Sequence, residues 1–183
     1  LAYGSSKKGD VSEALKNITE PAALLFSVAS EDMLERTAKE IERFFPGVAS
    51  IGGVGPAYID KQFFDAGITV IALKENIKVV ADVLEQASVM PIKYIRRLEN
   101  AVKAVGGERG KTACFDVCSA GADLRAVTTL SNYLCRMGYD LAGGTSNSAA
   151  IACNGKIYKD ACAFFIFKNL KGKIKSYKEN IYL

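Results

Sequence analysis

The chain contains no histidine. That absence removes the side chain that most often serves as a general base near neutral pH, and with it a common zinc ligand. No uninterrupted apolar run is long enough to cross a bilayer as a helix, so no membrane insertion is expected. The opening LAYGSSKKGD lacks the apolar core of a signal peptide. Because the first residue is Leu1 rather than methionine, a fragment of a longer protein is expected. Cysteine is present but unpaired in pattern: Cys114, Cys118, Cys135, Cys153 and Cys162 are odd in number and form no CxxC. Buried free thiols in a reducing, cytoplasmic compartment follow from that usage. Cys114 and Cys118 are four apart on an expected strand, so they share a face and could in principle hold a metal or a disulfide. The net charge is only +4, with the basic excess mainly between residues 168 and 178. A solvated strand face explains it better than a nucleic-acid surface.

What the chain does have is enough length, at 183 residues, for one domain with a real core, and an ordinary balance of 49% hydrophobic and 24% charged residues. Its clearest internal pattern is a repeat. The segment from Phe115 to Lys168 runs through an apolar strand, an acidic helix start, an amphipathic helix, a Gly-Gly pair and an apolar strand ending in lysine, and Phe26 to Lys74 follows the same order. Asp32 aligns with Asp123 and Gly52-Gly53 with Gly143-Gly144, a common shift of 91 residues. Such a match is the signature of duplication, with units spanning residues 21–74 and 111–168.

In chain order, Val11 to Ile18 reads as a short helix, and AALLFSVAS after Pro21 as a central strand covered on both sides. Ser30 is placed to cap a helix whose inward stripe is Leu34, Thr37, Ala38, Ile41, Phe44 and Phe45, ending at Pro46-Gly47. The strand beginning at Val48 is expected to break at GGVGP, residues 52–56. This glycine run is no phosphate loop: no helix follows it directly and there is no GK[ST]. GITVIALK reads as a strand, and Ile77 to Gln86 suits either a helix or a strand, with the alternation favouring a strand. Pro91 opens a helix with Ile95, Leu98, Val102 and Val105 buried and Arg96 and Arg97 solvated. The last helix starts at Asp123, turns Val127, Leu130, Leu134 and Met137 inward and stops at Gly138. A hairpin turns at Asn154-Gly155.

Polar groups concentrate in the second unit. In ACFDVCS, Asp116 is a charge in an otherwise apolar strand and needs a partner, either hydrogen-bond donors from backbone or a helix end, or a ligand. Ser119 sits in the turn that follows. Gly143, Gly144, Thr145, Ser146 and Asn147 offer bare backbone and small donors and acceptors, which suits a polar small molecule more than proton-transfer chemistry. Gly52 and Gly53 occupy the matching point of the first unit, so a cleft between the two glycine pairs is expected. No catalytic residue, metal or cofactor is assigned. An enzyme using Cys118 or Asp116, or an interaction domain dimerising through the segment from Lys173 to Tyr182, are the competing classes.

The order PAALLFSVAS, helix, ASIGGVG, GITVIALK, a strand with an aspartate, helix, YDLAGGTSN and YKDACAFFIFK resembles the amino-terminal part of the FIST domain over about residues 1–175. The resemblance implies a bacterial, cytoplasmic sensory domain that binds a small ligand such as an amino acid. It also implies an attached output module of the chemotaxis-receptor, histidine-kinase or cyclase type, and it supplies no catalytic residues. The first glycine run, GGVGP, departs from the small-polar segment usual there. The expected fold is α/β, with strand–helix–strand–strand units forming mixed sheets under packed helices.

Overall fold

The computed structural model describes residues 1–59 and 62–175. Its twelve strands and four α-helices follow in the order β1 (Ala2–Ser6), α1 (Val11–Leu15), β2 (Ala23–Val28), α2 (Glu31–Phe44), β3 (Ala49–Val54), β4 (Ala57–Ile59), β5 (Gln62–Phe64), β6 (Ile68–Leu73), β7 (Ile77–Glu85), a 3₁₀ turn (Pro91–Tyr94), α3 (Ile95–Val105), β8 (Thr112–Cys118), α4 (Asp123–Met137), β9 (Asp140–Thr145), β10 (Ala150–Cys153), β11 (Lys156–Lys159) and β12 (Ala161–Asn169). The fold is α/β with two mixed sheets. The larger has the strand order β1-β6-β2-β3-β10-β11 and the smaller β7-β12-β8-β9, beside a two-stranded β4-β5 ribbon.

Four layers result. Helices α1 and α2 pack on the outer face of the large sheet around Leu24, Phe26, Val28, Leu34, Ala38 and Ile41. Helices α3 and α4 cover the outer face of the small sheet around Leu98, Val102, Ala126, Leu130, Leu134 and Phe164. Ile51, Val83, Ile151, Ala163 and Phe165 fill the space between the sheets. Because successive strand side chains alternate faces, adjacent Phe164 and Phe165 serve different cores. That two-sided burial is why ACAFFIF carries no polar alternation.

Both sheets contain the same local connection. Strands β2 and β3 pair in parallel across α2, with β6 antiparallel on the other side of β2; β8 and β9 pair in parallel across α4, with β12 antiparallel beside β8. The strand expected at Ile77 is present, and β10 and β11 form the hairpin, with Asn154 at φ 47° and Gly155 at φ 73° as a tight two-residue turn requires.

Several expectations are corrected. The glycine pairs do not break or end strands: Gly52 and Gly53 lie inside β3, and Gly143, Gly144 and Thr145 inside β9. Strand pairing runs through both pairs; Phe26 fills the space a side chain at 52 would need and Asp116 that at 143, while the position at 144 is open. Ser30 sits at the N-cap of α2 without a side-chain capping bond, and α1 ends at Leu15, its cap being Asp10, which accepts from Glu13 N–H at 3.0 Å. Phe44, Val127 and Met137 are exposed, so the buried stripe of α4 is Ala126, Leu130 and Leu134. Arg97 is not a solvated bystander: it donates to Val83 C=O at 3.0 Å, pairs with Glu85 at 2.8 Å and lies over the Tyr94 ring. Lys173 to Lys175 form no strand, and the rest of the proposed dimerising edge lies outside the described residues.

Candidate functional site

The small sheet ends at β9, while the large sheet runs on past it through β2, β6 and β1. The step between them leaves Tyr3 and Ile71 exposed on the large sheet. A cleft of about 270 Å³ opens there, lined from the large sheet by Leu25, Ser27, Gly53, Gly55, Thr69 and Ile71, and from the small sheet by Phe115, Val117, Gly143, Gly144 and Thr145. It lies toward the carboxyl ends of the two parallel pairs, the end at which open α/β sheets present ligand sites.

Ser146 fastens the back of the cleft. Its N–H donates to Cys118 C=O at 2.7 Å, its hydroxyl oxygen accepts from Val54 N–H at 3.0 Å, and its hydroxyl is 3.2 Å from Ala150 C=O. One buried serine thereby ties β8 to β3 and β10. Asn147 adds a backbone bond to Val54 C=O at 2.7 Å, and Ser148 donates to the Glu31 carboxylate at the start of α2.

Register decides which face each glycine serves. Gly144 pairs with Val117, whose side chain lies between the sheets, so the face that a side chain at 144 would occupy is the cleft, and nothing stands within 4 Å of that position. Gly143 pairs with Asp116 on the opposite, helix-covered face; a Cβ there would fall inside contact distance of the Asp116 carboxylate and backbone carbonyl. Gly53 faces the cleft, closely packed on Val117 and Ser146, whereas Gly52 faces the ring of Phe26 in the outer core.

Asp116 is 2% exposed. Its Oδ2 accepts from the Cys118 thiol at 3.3 Å and lies 3.9 Å from Cys162 Sγ, and the two sulfurs are 3.0 Å apart. Burial raises its pKa to about 6, while the two thiol contacts pull it down. Burial and the Asp116 charge push the Cys114 thiol up, and the Cys118 bond followed by burial does the same to Cys162. Cys118 therefore partners Cys162 rather than Cys114. The three ligand-type atoms of Asp116, Cys118 and Cys162 lie within 4.8 Å of one another.

Of the residues singled out from sequence, Gly53, Gly144 and Ser146 border the cleft, as do Asp116, Gly143 and Thr145, whose side-chain positions turn to the opposite, helix-covered face. Gly52 faces the other way, Asn147 stands outside the lining, and Ser119 is fully buried, bonded through both N–H and Oγ to Ala161. Ser27, Gly55 and Thr69 were missed. The signal for Ser27 is a hydroxyl inside the apolar run AALLFSV, and register sets Thr69 directly beside it.

With this geometry in hand, comparison with known proteins gives three results. The FIST N domain family model matches residues 22–179. No curated protein matches the chain. Among solved structures, the chain is similar to a cyanuric acid hydrolase from A. caulinodans at 9% identity and a TM-score of 0.46, over 92% of this chain and 71% of that one.

Proposed function

The chain belongs to the FIST N domain family, sensory domains of signalling proteins, and on that premise we propose that it binds a small polar metabolite, such as an amino acid, in the cleft between the sheets. The observation that carries the reading is the lining itself. Gly53, Gly55 and Gly144 and the hydroxyl residues Ser27 and Thr69 stand around an apolar floor of Leu25, Ile71, Phe115 and Val117. Oriented polar groups over an apolar surface fix a small molecule's pose.

Binding here touches both sheets at once, so a ligand that favours one spacing of β3 and β9 shifts the population of that spacing. An attached or partner output module of the chemotaxis-receptor, histidine-kinase or cyclase type would read that shift, in a bacterial cytoplasm where five free thiols stay reduced. The domain acts as a sensor rather than an enzyme in this reading. Supporting that, Cys118 is fully buried with its thiol directed at Asp116 and Cys162, not at the cleft. A homodimer is compatible with it.

The test is a thermal-shift screen against amino acids and related metabolites, run on the natural chain and on G144V. A ligand specific for the folded form raises the melting temperature by mass action. A saturable rise abolished by G144V supports the reading; a rise unchanged in G144V places binding elsewhere, and no rise with any compound class rejects small-metabolite binding by this chain.

A further inference from the structure

The buried polar trio behind β9 has chemistry that a metabolite cleft does not need. We propose that Asp116, Cys118 and Cys162 form a metal site of the zinc class, with a fourth coordination position reached past Gly143 from the groove between α4 and β9. This site is separate from the cleft on the inner face of the same strands and does not depend on the metabolite reading.

The backbone sets the three ligands in place. Asp116 and Cys118 are two apart on β8 and share its outer face, and Cys162 on β12 is the register partner of Cys118. Their separations are 3.0 Å between sulfurs and 3.3 and 3.9 Å from sulfur to carboxylate. A tetrahedral zinc site with Zn–S of about 2.3 Å and Zn–O of about 2.0 Å has S–S edges of about 3.8 Å and S–O edges of about 3.5 Å. Small rotations of two cysteine side chains bridge the difference. Two thiolates and one carboxylate match zinc's preference for sulfur and hard oxygen together, and three protein ligands leave one position open.

Access comes from the glycine. Asp123, Val127, Ser131 and Tyr139 line one groove with Asp116 and Gly143, and any Cβ at 143 would occupy the space beside the carboxylate. Loading replaces two S–H protons by metal–sulfur bonds: Zn²⁺ with two thiols gives the bis-thiolate and two released protons, with Asp116 completing the set. No oxidant or reductant is involved. The ligands come from two strands 44 residues apart, which is why no CxxC announces them.

The experiment uses the full chain with the exposed Cys135 replaced (C135S), so that no surface thiol contributes, purified reduced and metal-free. Cobalt(II) is the probe. The expected result is one cobalt per chain with a thiolate-to-cobalt charge-transfer band, displaced by zinc, and release of two protons per metal. C118S and C162S each lose the band, and D116N weakens binding at least tenfold. X-ray absorption on the zinc-loaded C135S protein, which needs no buried substitution to fold, should show two sulfur and two lighter ligands. No charge-transfer band, a band that survives in the C118S/C162S pair, or a zinc shell without sulfur overturns the proposal. So does a Cys118–Cys162 disulfide that persists in reduced protein.

Discussion

The two strand–helix–strand units place a matching side chain over a matching glycine and then diverge. In the first, Phe26 is the register partner of Gly52 and its ring rests on that glycine, inside the core under α2. In the second, Asp116 is the partner of Gly143 and its carboxylate occupies the equivalent space under α4. The strands carrying the glycines differ as well. Strand β3 is followed in its sheet by β10 and β11, whereas β9 is an edge, with Ala142 through Thr145 exposed. The same backbone device thus gives a closed apolar joint in one half and a polar, accessible one in the other. Unpaired edge backbone and a buried charge are both costly to a fold, and in this chain the β9 edge and buried Asp116 fall in the same unit.

Breaking the comparison at its apolar end should have the largest effect. Phe26→Ala removes a 3%-exposed ring and exposes the void above Gly52, so a loss of about 3–5 kcal/mol in unfolding free energy is expected by denaturant titration. A loss under about 1 kcal/mol would mean that Phe26 is not the counterpart it resembles.

At the polar end the expected effect depends on pH. In metal-free protein, the folded Asp116 pKa of about 6 stands above the ordinary 3.8. The folded state therefore binds the extra proton between those values, and this group's contribution to stability falls as pH rises from about 3.8 to about 6 and is level above that. Relative to Asp116→Asn, the natural chain should lose up to about 3 kcal/mol across that window. Comparing the two proteins at each pH cancels the other carboxylates; a difference independent of pH would show that the carboxyl is not desolvated.

Much of the layering was legible because it rests on local pattern: β-branched runs for the strands, a 3.6-residue stripe for α2, Pro91 opening the region of α3. The charge at Asp116 also stood out in an apolar strand. What was not legible depends on register between distant segments. Nothing in GGVG or AGGT says that the glycines continue a strand rather than turn it, because the groups that fill their missing side-chain space, Phe26 and Asp116, are set by parallel pairing across a helix. The Cys118–Cys162 contact and the Ser27–Thr69 pair are likewise products of antiparallel register. Arg97 was misjudged for a similar reason, since its partners Val83 and Glu85 belong to β7 rather than to its own helix.

The adjacent glycines of β9 sharpen the comparison within a single strand. Gly143→Ala sets a methyl against the carboxylate and carbonyl of Asp116, and a carbonyl cannot move without disturbing β8. Overpacking of this kind should cost about 1–3 kcal/mol. Gly144→Val, one residue later, enters open space on the other face of an extended strand where β-branched residues are favoured. Its stability should change by less than about 0.5 kcal/mol or rise. Thermal denaturation of the two variants side by side measures the contrast. If G144V unfolds as readily as G143A, the cleft face of β9 is already filled, and the open step between the sheets is not a place where a ligand could sit.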